Sequence, residues 1–401
     1  RLLIATHFPA VLGTKMILIV GFVGSVALFG LFTGYTTSHF RLLMLLSLVM
    51  VLQTMYNYLR SHFSALGFFR METYLSAMDK LFLILIIGYW IYVAKQIDIM
   101  LFVYGQIAGL FLANLIVLGL LGARFKLRIS FSFQKSRQLL KKTFPFALVF
   151  LLMTLYTRMD GVMLEYLLDD KAVSAGIYAA AYRLLDAGNM LGYLFALLLL
   201  PMFAHQLGKN EAVIGLVKSS FGLLISLSTL IVCVALFYSE EIMLLIYPES
   251  TAEYAEVFQM LMLSFWAMSA SYVFGSLITA SGKLRLFNWI FVTGIIINWS
   301  LNMLLIPEHM AIGAAKATLI TQFFVFIAQV ILANKLFKLT YPISYLLKCL
   351  LILGTYFASS YLISTQLTIH WMIEITIIAV LSLGISFFIG FFRLSLSQSE
   401  E

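Results

Sequence analysis

Apolar runs of about 20 residues recur along almost the entire chain, and this pattern constrains the fold more than any other feature. A helix of that length spans the ~30 Å hydrocarbon core of a bilayer. Inside lipid the backbone groups must pair within their own segment, which favours helices, and the ten-residue alternation of a membrane β-barrel does not occur in the sequence. Charged residues make up only 11% of the 401 positions, too few to cover the surface of a soluble domain. The sequence therefore predicts an all-α, polytopic integral membrane protein.

Twelve candidate spans can be delimited, and the connections between them are short. They lie at roughly 11–35, 40–62, 74–94, 98–122, 144–167, 175–203, 215–237, 256–280, 286–306, 310–334, 342–363 and 370–392. No connection is long enough to form a separate soluble domain. This disfavours a membrane enzyme with an extramembrane catalytic head.

Lysine and arginine residues are divided unequally between alternate connections, which predicts the orientation. One set of connections holds only Arg41, Lys95 and Lys171. The other set, which this bias places in the cytoplasm, holds Arg60, Arg70, Arg124, Lys126, Arg128, Lys135, Arg137, Lys141, Lys142, Lys209, Lys218, Lys283, Arg285, Lys335, Lys338 and Arg393. The net charge of +8 is therefore interpreted as a topology bias, and no nucleic-acid partner is expected. The acid-rich segment 238–256 is predicted to lie outside.

A short motif occurs twice at an offset of 215 residues, as ALGFFR at 65–70 and ASGKLR at 280–285. The same offset carries the second, third and fourth spans onto the eighth, ninth and tenth. Six spans separate the copies, and because six is even both halves have the same orientation. This predicts a parallel repeat about an axis along the membrane normal, one of two repeat types found in transporters.

Ionisable residues at membrane depth are costly and are functional candidates by default. Arg158 and Asp160 lie in the fifth span, and Arg183 and Asp186 lie in the sixth. At ~1.5 Å rise per residue, Asp160 matches Arg183 in depth, and Arg158 matches Asp186, which permits two crosswise ion pairs. The arginines are interpreted as candidate anion ligands on a water-filled cavity, because the planar guanidinium gives bidentate hydrogen bonds to phosphate. The alternative is a structural pair of salt bridges.

Further candidate substrate ligands are Lys15, Lys80 and Lys316, although Lys15 and Lys80 can also extend to the membrane surface and Lys316 can be structural. Asp79 beside Lys80 is a candidate ion-pair or ion-coupling residue. The basic and apolar segment 123–143 predicts either an interfacial helix on anionic lipid or a plain topology bias.

Two polar residues, Asn298 and Asn302, are predicted to form interhelical hydrogen bonds. The isolated Cys233 and Cys349, and the lack of a metal-ligand cluster or a phosphate-binding loop in the sequence, predict no metal and no cofactor.

Several stretches share an order and spacing: RMD at 158–160, GIYAAAYR at 176–183, NWSLN at 298–302, LIP at 305–307 and GAAKAT at 313–318. Together they resemble the polysaccharide transporters, or O-antigen flippases, of the multidrug/oligosaccharidyl-lipid/polysaccharide superfamily, over essentially the whole chain. The resemblance implies two helical lobes around a central cavity, followed by a C-terminal helix pair. Such members have fourteen spans, so the first two are expected to be missing here. The implied divisions are 1–122 (remainder of the N-terminal lobe, four spans), 123–143 (linker), 144–334 (C-terminal lobe, six spans) and 335–401 (helix pair and tail).

The resemblance also implies a function, namely alternating-access translocation of a polyprenyl-pyrophosphate-linked oligosaccharide across a bacterial inner membrane. The carrier would be of the undecaprenyl-pyrophosphate type, with Arg158 and Arg183 as ligands of its pyrophosphate. Coupling to H⁺ or Na⁺ is open, with Asp160 or Asp186 as the candidate group. Membrane lipids and other polysaccharide-assembly proteins are the expected partners.

Several alternatives remain at this point. A multidrug exporter of the same superfamily is disfavoured, because cationic drugs prefer an acidic cavity whereas this chain has Arg and Lys residues at membrane depth. A lipid II flippase stays open. A glycan polymerase or acyltransferase would be an enzyme, but the outer connections are short for one. A structural membrane scaffold is the remaining class.

Overall fold

A computed structural model describes residues 2–66, 68–95, 98–123, 133–168, 171–367 and 369–390. Within these ranges the chain forms helices and no strands, as predicted. The helices are α1 (Leu2–Phe32), α2 (Thr37–Ala65), α3 (Phe69–Tyr92), α4 (Ile99–Gly122), α5 (Phe133–Leu167), α6 (Lys171–Gly208), α7 (Ile214–Phe237), α8 (Ser239–Ile246), α9 (Ala252–Ala280), α10 (Leu284–Phe337), α11 (Ile343–Gln366) and α12 (Trp371–Ile389).

Eleven of the described helices are long and apolar enough to cross a membrane, and the longest, α10, is a hairpin. Its 54 residues would extend about 80 Å if straight, far more than a bilayer needs. Met310 interrupts it with φ 49° and ψ −127°. A Cβ added at Gly294 would lie 3.2 Å from a methyl carbon of Val325, so the two halves pack side by side. The described helices therefore account for all twelve predicted spans.

The chain forms two compact units, Arg1–Thr143 and Phe144–Glu401. In the first unit, α2 packs against α4, α3 and α1. Its core is built on the fully buried side chains of Tyr56, Leu59 and Phe63.

The second unit is organised around α9, which contacts α6, α7, α8 and α10. In the most apolar stretch of α9, 67% of the residues are buried, a larger share than in any other described span. The last two helices, α11 and α12, pack on each other and on α7. The second unit thus contains both the six spans of the predicted C-terminal lobe and the C-terminal helix pair.

The helix bounds repeat at the offset of 215 that the sequence motif predicts. Adding 215 to the bounds of α2 gives 252–280, the bounds of α9. The same shift moves the start of α3 to 284, where α10 begins, and the end of α4 to 337, where α10 ends. The break at Met310 falls in the interval that corresponds to the α3–α4 connection. The repeat is therefore present in the order and length of the helices, while its axis stays a prediction.

One feature of the connections differs from the sequence prediction. Residues 133–143 are the first turns of α5, so this part of the 123–143 linker is no separate interfacial helix. The physical reason is that neither glycine nor proline interrupts the chain between Phe133 and the apolar run. Residues 124–132 lie outside the described ranges. The acid-rich segment 238–256 contains the short helix α8.

Candidate functional site

Four helices of the second unit, α5, α6, α9 and α10, surround a cavity of about 450 Å³. This volume lies within the range of about 300–1,000 Å³ that is usual for small-molecule sites. Much of the wall is aromatic, with the rings of Tyr156, Tyr182, Tyr272 and Phe291 among the lining side chains. The polar part of the wall comes mainly from Arg158, Asp186, Asn189, Ser271, Gln322 and Gln329. The cavity therefore combines flat apolar surfaces with a few polar groups.

Arg158 and Asp186 form an ion pair on this wall, as predicted from their equal depth. The Nη2 atom of Arg158 lies 3.0 Å from Oδ2 and 3.2 Å from Oδ1 of Asp186. The guanidinium carbon also lies 4.9 Å from the centre of the Tyr182 ring, within cation–π range. The side chains are 57% and 43% exposed, respectively. The pair is consequently accessible to a ligand in the cavity.

The second predicted ion pair, between Arg183 and Asp160, is wrong. Arg183 is exposed and forms no ion pair or hydrogen bond with any residue that the structure describes. The reason is geometric, because successive residues of a helix are turned by about 100°. Tyr182 faces α5, and the next residue, Arg183, is therefore directed away from the Asp160 carboxylate.

Asp160 is instead the centre of a buried hydrogen-bond cluster between α5, α6 and α10. Its side chain is 0% exposed. The Oδ1 atom accepts from the amides of Asn302 at 2.6 Å and Asn298 at 2.9 Å. The Oδ2 atom accepts from the hydroxyl of Tyr178 at 2.7 Å and from that of Thr318. This confirms that the two asparagines bond between helices.

In the Asp160 cluster, hydrogen bonds alone stabilise the carboxylate, which has no basic partner among the described residues. Within the described ranges no Lys, Arg or His forms a salt bridge to Asp160. Burying a charge is costly unless it is paired or hydrogen-bonded, and four donors fill its acceptor sites here. The Oδ1 atom of Asn302 has no hydrogen-bond partner among the described residues, so the cluster retains one unused acceptor.

Three residues that line this cavity also carry buried polar atoms without partners. Asn189 Oδ1, Ser271 Oγ and Gln329 Oε1 are buried, and none has a hydrogen-bond partner in the described part of the chain. A buried polar atom left unpaired costs about 1–3 kcal/mol. Water or a bound ligand is therefore expected at these atoms.

Comparison with known proteins places the chain in a family. A family model described as polysaccharide biosynthesis protein matches residues 3–207, just over half of the 401 residues. The chain belongs to the polysaccharide biosynthesis protein family. This membership confirms the resemblance to polysaccharide transporters and agrees with a multi-pass membrane protein. No curated protein matches the sequence significantly.

The fold of this family member is similar to that of the lipid II flippase MurJ in its inward closed conformation. The TM-score is 0.73, and the match covers 93% of this chain and 80% of that one. The sequence identity is 14%, so the likeness concerns the fold alone.

The first unit holds three of the predicted site residues. Lys15 donates a 2.6 Å hydrogen bond to the backbone carbonyl of Thr54, and its ammonium lies 5.1 Å from the centre of the Tyr58 ring. Lys80 and Asp79 form a 3.1 Å ion pair in which Asp79 is buried and Lys80 is exposed. Within the unit, both lysines thus have local partners.

Lys316, in the second unit, is half-buried on α10. It lies outside the lining of the cavity and makes no hydrogen bond or ion pair with a described residue. Its role as a substrate ligand stays a prediction.

The sequence interpretation missed the polar face of the second half of α10. Thr318, Gln322 and Gln329 are buried, the first in the Asp160 cluster and the other two on the cavity wall. Spacings of four and seven residues place them on one face of a helix. Polar residues at such spacing in an apolar span were the available signal. No comparable spacing of polar residues marks Asn189 or Tyr178 in the sequence.

Proposed function

We propose that this chain translocates a lipid-linked oligosaccharide across a bacterial cytoplasmic membrane by alternating access, as a step in cell-surface polysaccharide assembly. The carrier would be a polyprenyl pyrophosphate of the undecaprenyl type. The observation that carries the proposal is Arg158, an exposed guanidinium on a cavity wall between membrane-spanning helices of a polysaccharide biosynthesis protein.

The geometry of Arg158 suits a reversible phosphate contact. Both of its bonds to Asp186 come from the Nη2 atom. A guanidinium carries five N–H donors, so the donors on Nε and Nη1 remain for phosphate oxygens. The carboxylate of Asp186 neutralises the arginine when no substrate is present, which lowers the cost of holding a cation at this depth. Binding followed by release needs no bond cleavage, and we therefore propose a transporter and not an enzyme.

We further propose that Asp160 couples transport to a gradient of H⁺ or Na⁺. Its carboxylate, the hydroxyls of Tyr178 and Thr318 and the unused Oδ1 of Asn302 bring several oxygen atoms together. Hard cations prefer oxygen ligands. The other candidate, Asp186, already pairs with Arg158, which favours Asp160 for the coupling role.

A reconstituted system tests translocation. Purified protein is placed in vesicles that contain undecaprenyl pyrophosphate bearing a short labelled oligosaccharide, and the label that reaches the opposite leaflet is measured with an impermeant glycosidase. We expect transfer well above that of protein-free vesicles, at least a tenfold loss in Arg158→Ala and partial activity in Arg158→Lys. The exposed Arg285→Ala is the matched control and should transfer normally. Wild-type transfer no faster than in protein-free vesicles would overturn the proposal.

The coupling proposal is tested in the same vesicles with imposed Na⁺ or pH gradients. One of the two gradients should accelerate transfer by the wild type. Asp160→Asn should remove that acceleration and leave the slow gradient-independent transfer. A variant that responds to the gradient as the wild type does would exclude Asp160 as the coupling group.

A further inference from the structure

The deep wall of the cavity differs chemically from its charged part. Gln329 is 3% exposed and Asn189 is 9% exposed, and both line a site bounded by aromatic rings. Each has a buried carbonyl oxygen without a hydrogen-bond partner among the described residues. Neither residue is among the hydrogen-bond partners of Asp160. Uncharged amides can both donate and accept hydrogen bonds, whereas the rings offer flat apolar faces.

The shape of this region is maintained by two glycines. A Cβ added at Gly275 would lie 3.3 Å from Gln329 Oε1, so the glycine leaves room for the amide. A Cβ at Gly192 would lie 2.4 Å from a ring carbon of Tyr272, so the ring can rest directly on α6. The open volume beside Gln329 and Tyr272 thus depends on the absence of these two methyl groups.

We infer that the cavity is a subsite for the first sugar of the substrate, with Asn189 and Gln329 bonding its hydroxyl groups and Tyr272 covering its apolar face. The inference rests on the proposed function. A sugar ring has polar edges and apolar C–H faces, which match amides and aromatic rings. In a lipid-linked oligosaccharide this first sugar is bonded directly to the pyrophosphate. Arg158 on the same wall would hold the phosphate while the amides hold the sugar.

Water is the competing occupant of the same polar atoms. A water molecule could satisfy Asn189, Ser271 and Gln329 without any role in recognition. The two possibilities differ in their consequence. If the amides recognise sugar, replacing them with apolar side chains of similar size selectively weakens binding of a sugar-bearing lipid. If they only hold water, the replacement affects lipids with and without sugar equally.

The experiment compares two kinds of probe on the purified full chain. One is undecaprenyl pyrophosphate, and the other is the same lipid bearing one N-acetylglucosamine or one galactose. We expect the wild type to bind a sugar-bearing probe more tightly. Asn189→Leu combined with Gln329→Met should reduce this preference by about tenfold, with binding of the sugar-free lipid unchanged. Gln329→Met alone, which conserves volume, should give a smaller reduction and serves if the double variant does not fold.

Two further variants sharpen the test. Asn288 is the matched control, because it is also 9% exposed with an unpartnered Oδ1 but does not line the cavity. Asn288→Leu should keep the full preference. Gly192→Ala should displace the Tyr272 ring into the cavity and reduce the preference without removing a polar group.

The outcomes separate the inference from the proposed function. If the wild type binds the lipid with and without sugar equally, or if the double variant retains the preference, the sugar subsite is wrong and the flippase proposal stands. If the wild type binds neither probe, the proposed function itself is overturned.

Discussion

The carboxylate of Asp160 accepts a 2.6 Å hydrogen bond from the side-chain amide of Asn302, although 142 positions separate the two residues. This bond joins α5 to the first half of α10. The hydroxyl of Thr318, in the second half of α10, donates to the other oxygen of the same carboxylate. One side chain therefore holds both halves of the hairpin against α5. A change in the charge or the hydrogen-bond partners of Asp160 would therefore affect α5 and both halves of α10 together.

Removal of the Asp160 carboxylate should destabilise the second unit. Asp160→Ala leaves four buried donors without their acceptor, and we expect a loss of about 3 kcal/mol or more in the free energy of unfolding. The measurement is unfolding of the purified protein in detergent. Glu211→Ala, at an exposed site, is the control and should change stability by less than about 0.5 kcal/mol. Equal stability of the two variants would mean that the cluster contributes nothing to folding.

The same depth calculation predicted one ion pair correctly and one wrongly. Rise per residue places Arg158 level with Asp186 and Arg183 level with Asp160, and only the first pair forms. Depth fixes the height of a side chain along a helix, whereas contact also requires that both residues face each other. The rotation of a membrane helix depends on packing against its neighbours, and with apolar residues on every face the sequence leaves this rotation undetermined.

The repeat offset of 215 residues gave helix bounds in the second unit more closely than the individually predicted spans did. It predicted the bounds of α9 and the two ends of α10 from those of α2, α3 and α4. It could not predict that the corresponding two spans continue through the short turn at Met310, because the first unit has a longer connection there. The cavity was not predictable in the same way, since its lining comes from two helix pairs, α5–α6 and α9–α10, that are distant from each other in sequence.

Exchanging the charges of the cavity ion pair should separate its structural role from its binding role. Arg158→Asp alone places two carboxylates opposite each other, and we expect reduced abundance. Adding Asp186→Arg restores an ion pair of opposite polarity and should restore abundance. Translocation in vesicles should remain at least tenfold below wild type, because the guanidinium now projects from α6. Full recovery of transport by the double variant would show that only the pair, and not the position of the arginine, matters.

Arg183 provides a complementary case, because it has no ion-pair partner within the described ranges. Arg183→Ala should leave the thermal unfolding midpoint unchanged. If the residue binds pyrophosphate, surface glycan export should be lost, and Arg183→Lys should recover only part of it, since an ammonium lacks the planar fork. Arg285→Ala is again the control. Normal export by Arg183→Ala at normal abundance would remove Arg183 from the substrate site.

The orientation in the membrane can be tested by cysteine labelling. In a background with Cys233 and Cys349 replaced by alanine, single cysteines are introduced at the exposed Glu249 and Glu211. Glu249→Cys should react with an impermeant maleimide in spheroplasts, and Glu211→Cys should react only after the membrane is permeabilised. The reverse pattern would invert the predicted topology, and equal labelling of both would place 249 and 211 on one side.

The turn inside α10 depends on Gly313. A Cβ at this position would lie 2.2 Å from the carbonyl oxygen of Leu305 and 2.6 Å from its carbonyl carbon. These are backbone atoms of the opposing half of the hairpin, and they cannot rotate away as a flexible side chain could. Gly313→Ala should therefore force the two halves apart, with a loss of about 1–3 kcal/mol or more in stability.

The consequence of that separation should extend to the Asp160 cluster. Asn302 and Thr318 lie on opposite sides of the turn, and both must reach the same carboxylate. Gly313→Ala should thus weaken the gradient response of transport as well as lower the unfolding temperature. Gly354→Ala on α11 is the matched control, because nothing lies within 4 Å of its added Cβ and alanine favours a helix. If both variants unfold at the wild-type temperature, the close approach at Leu305 does not hold the hairpin. If Gly313→Ala lowers stability yet keeps the full gradient response, the turn is structural only and the Asp160 cluster is insensitive to it.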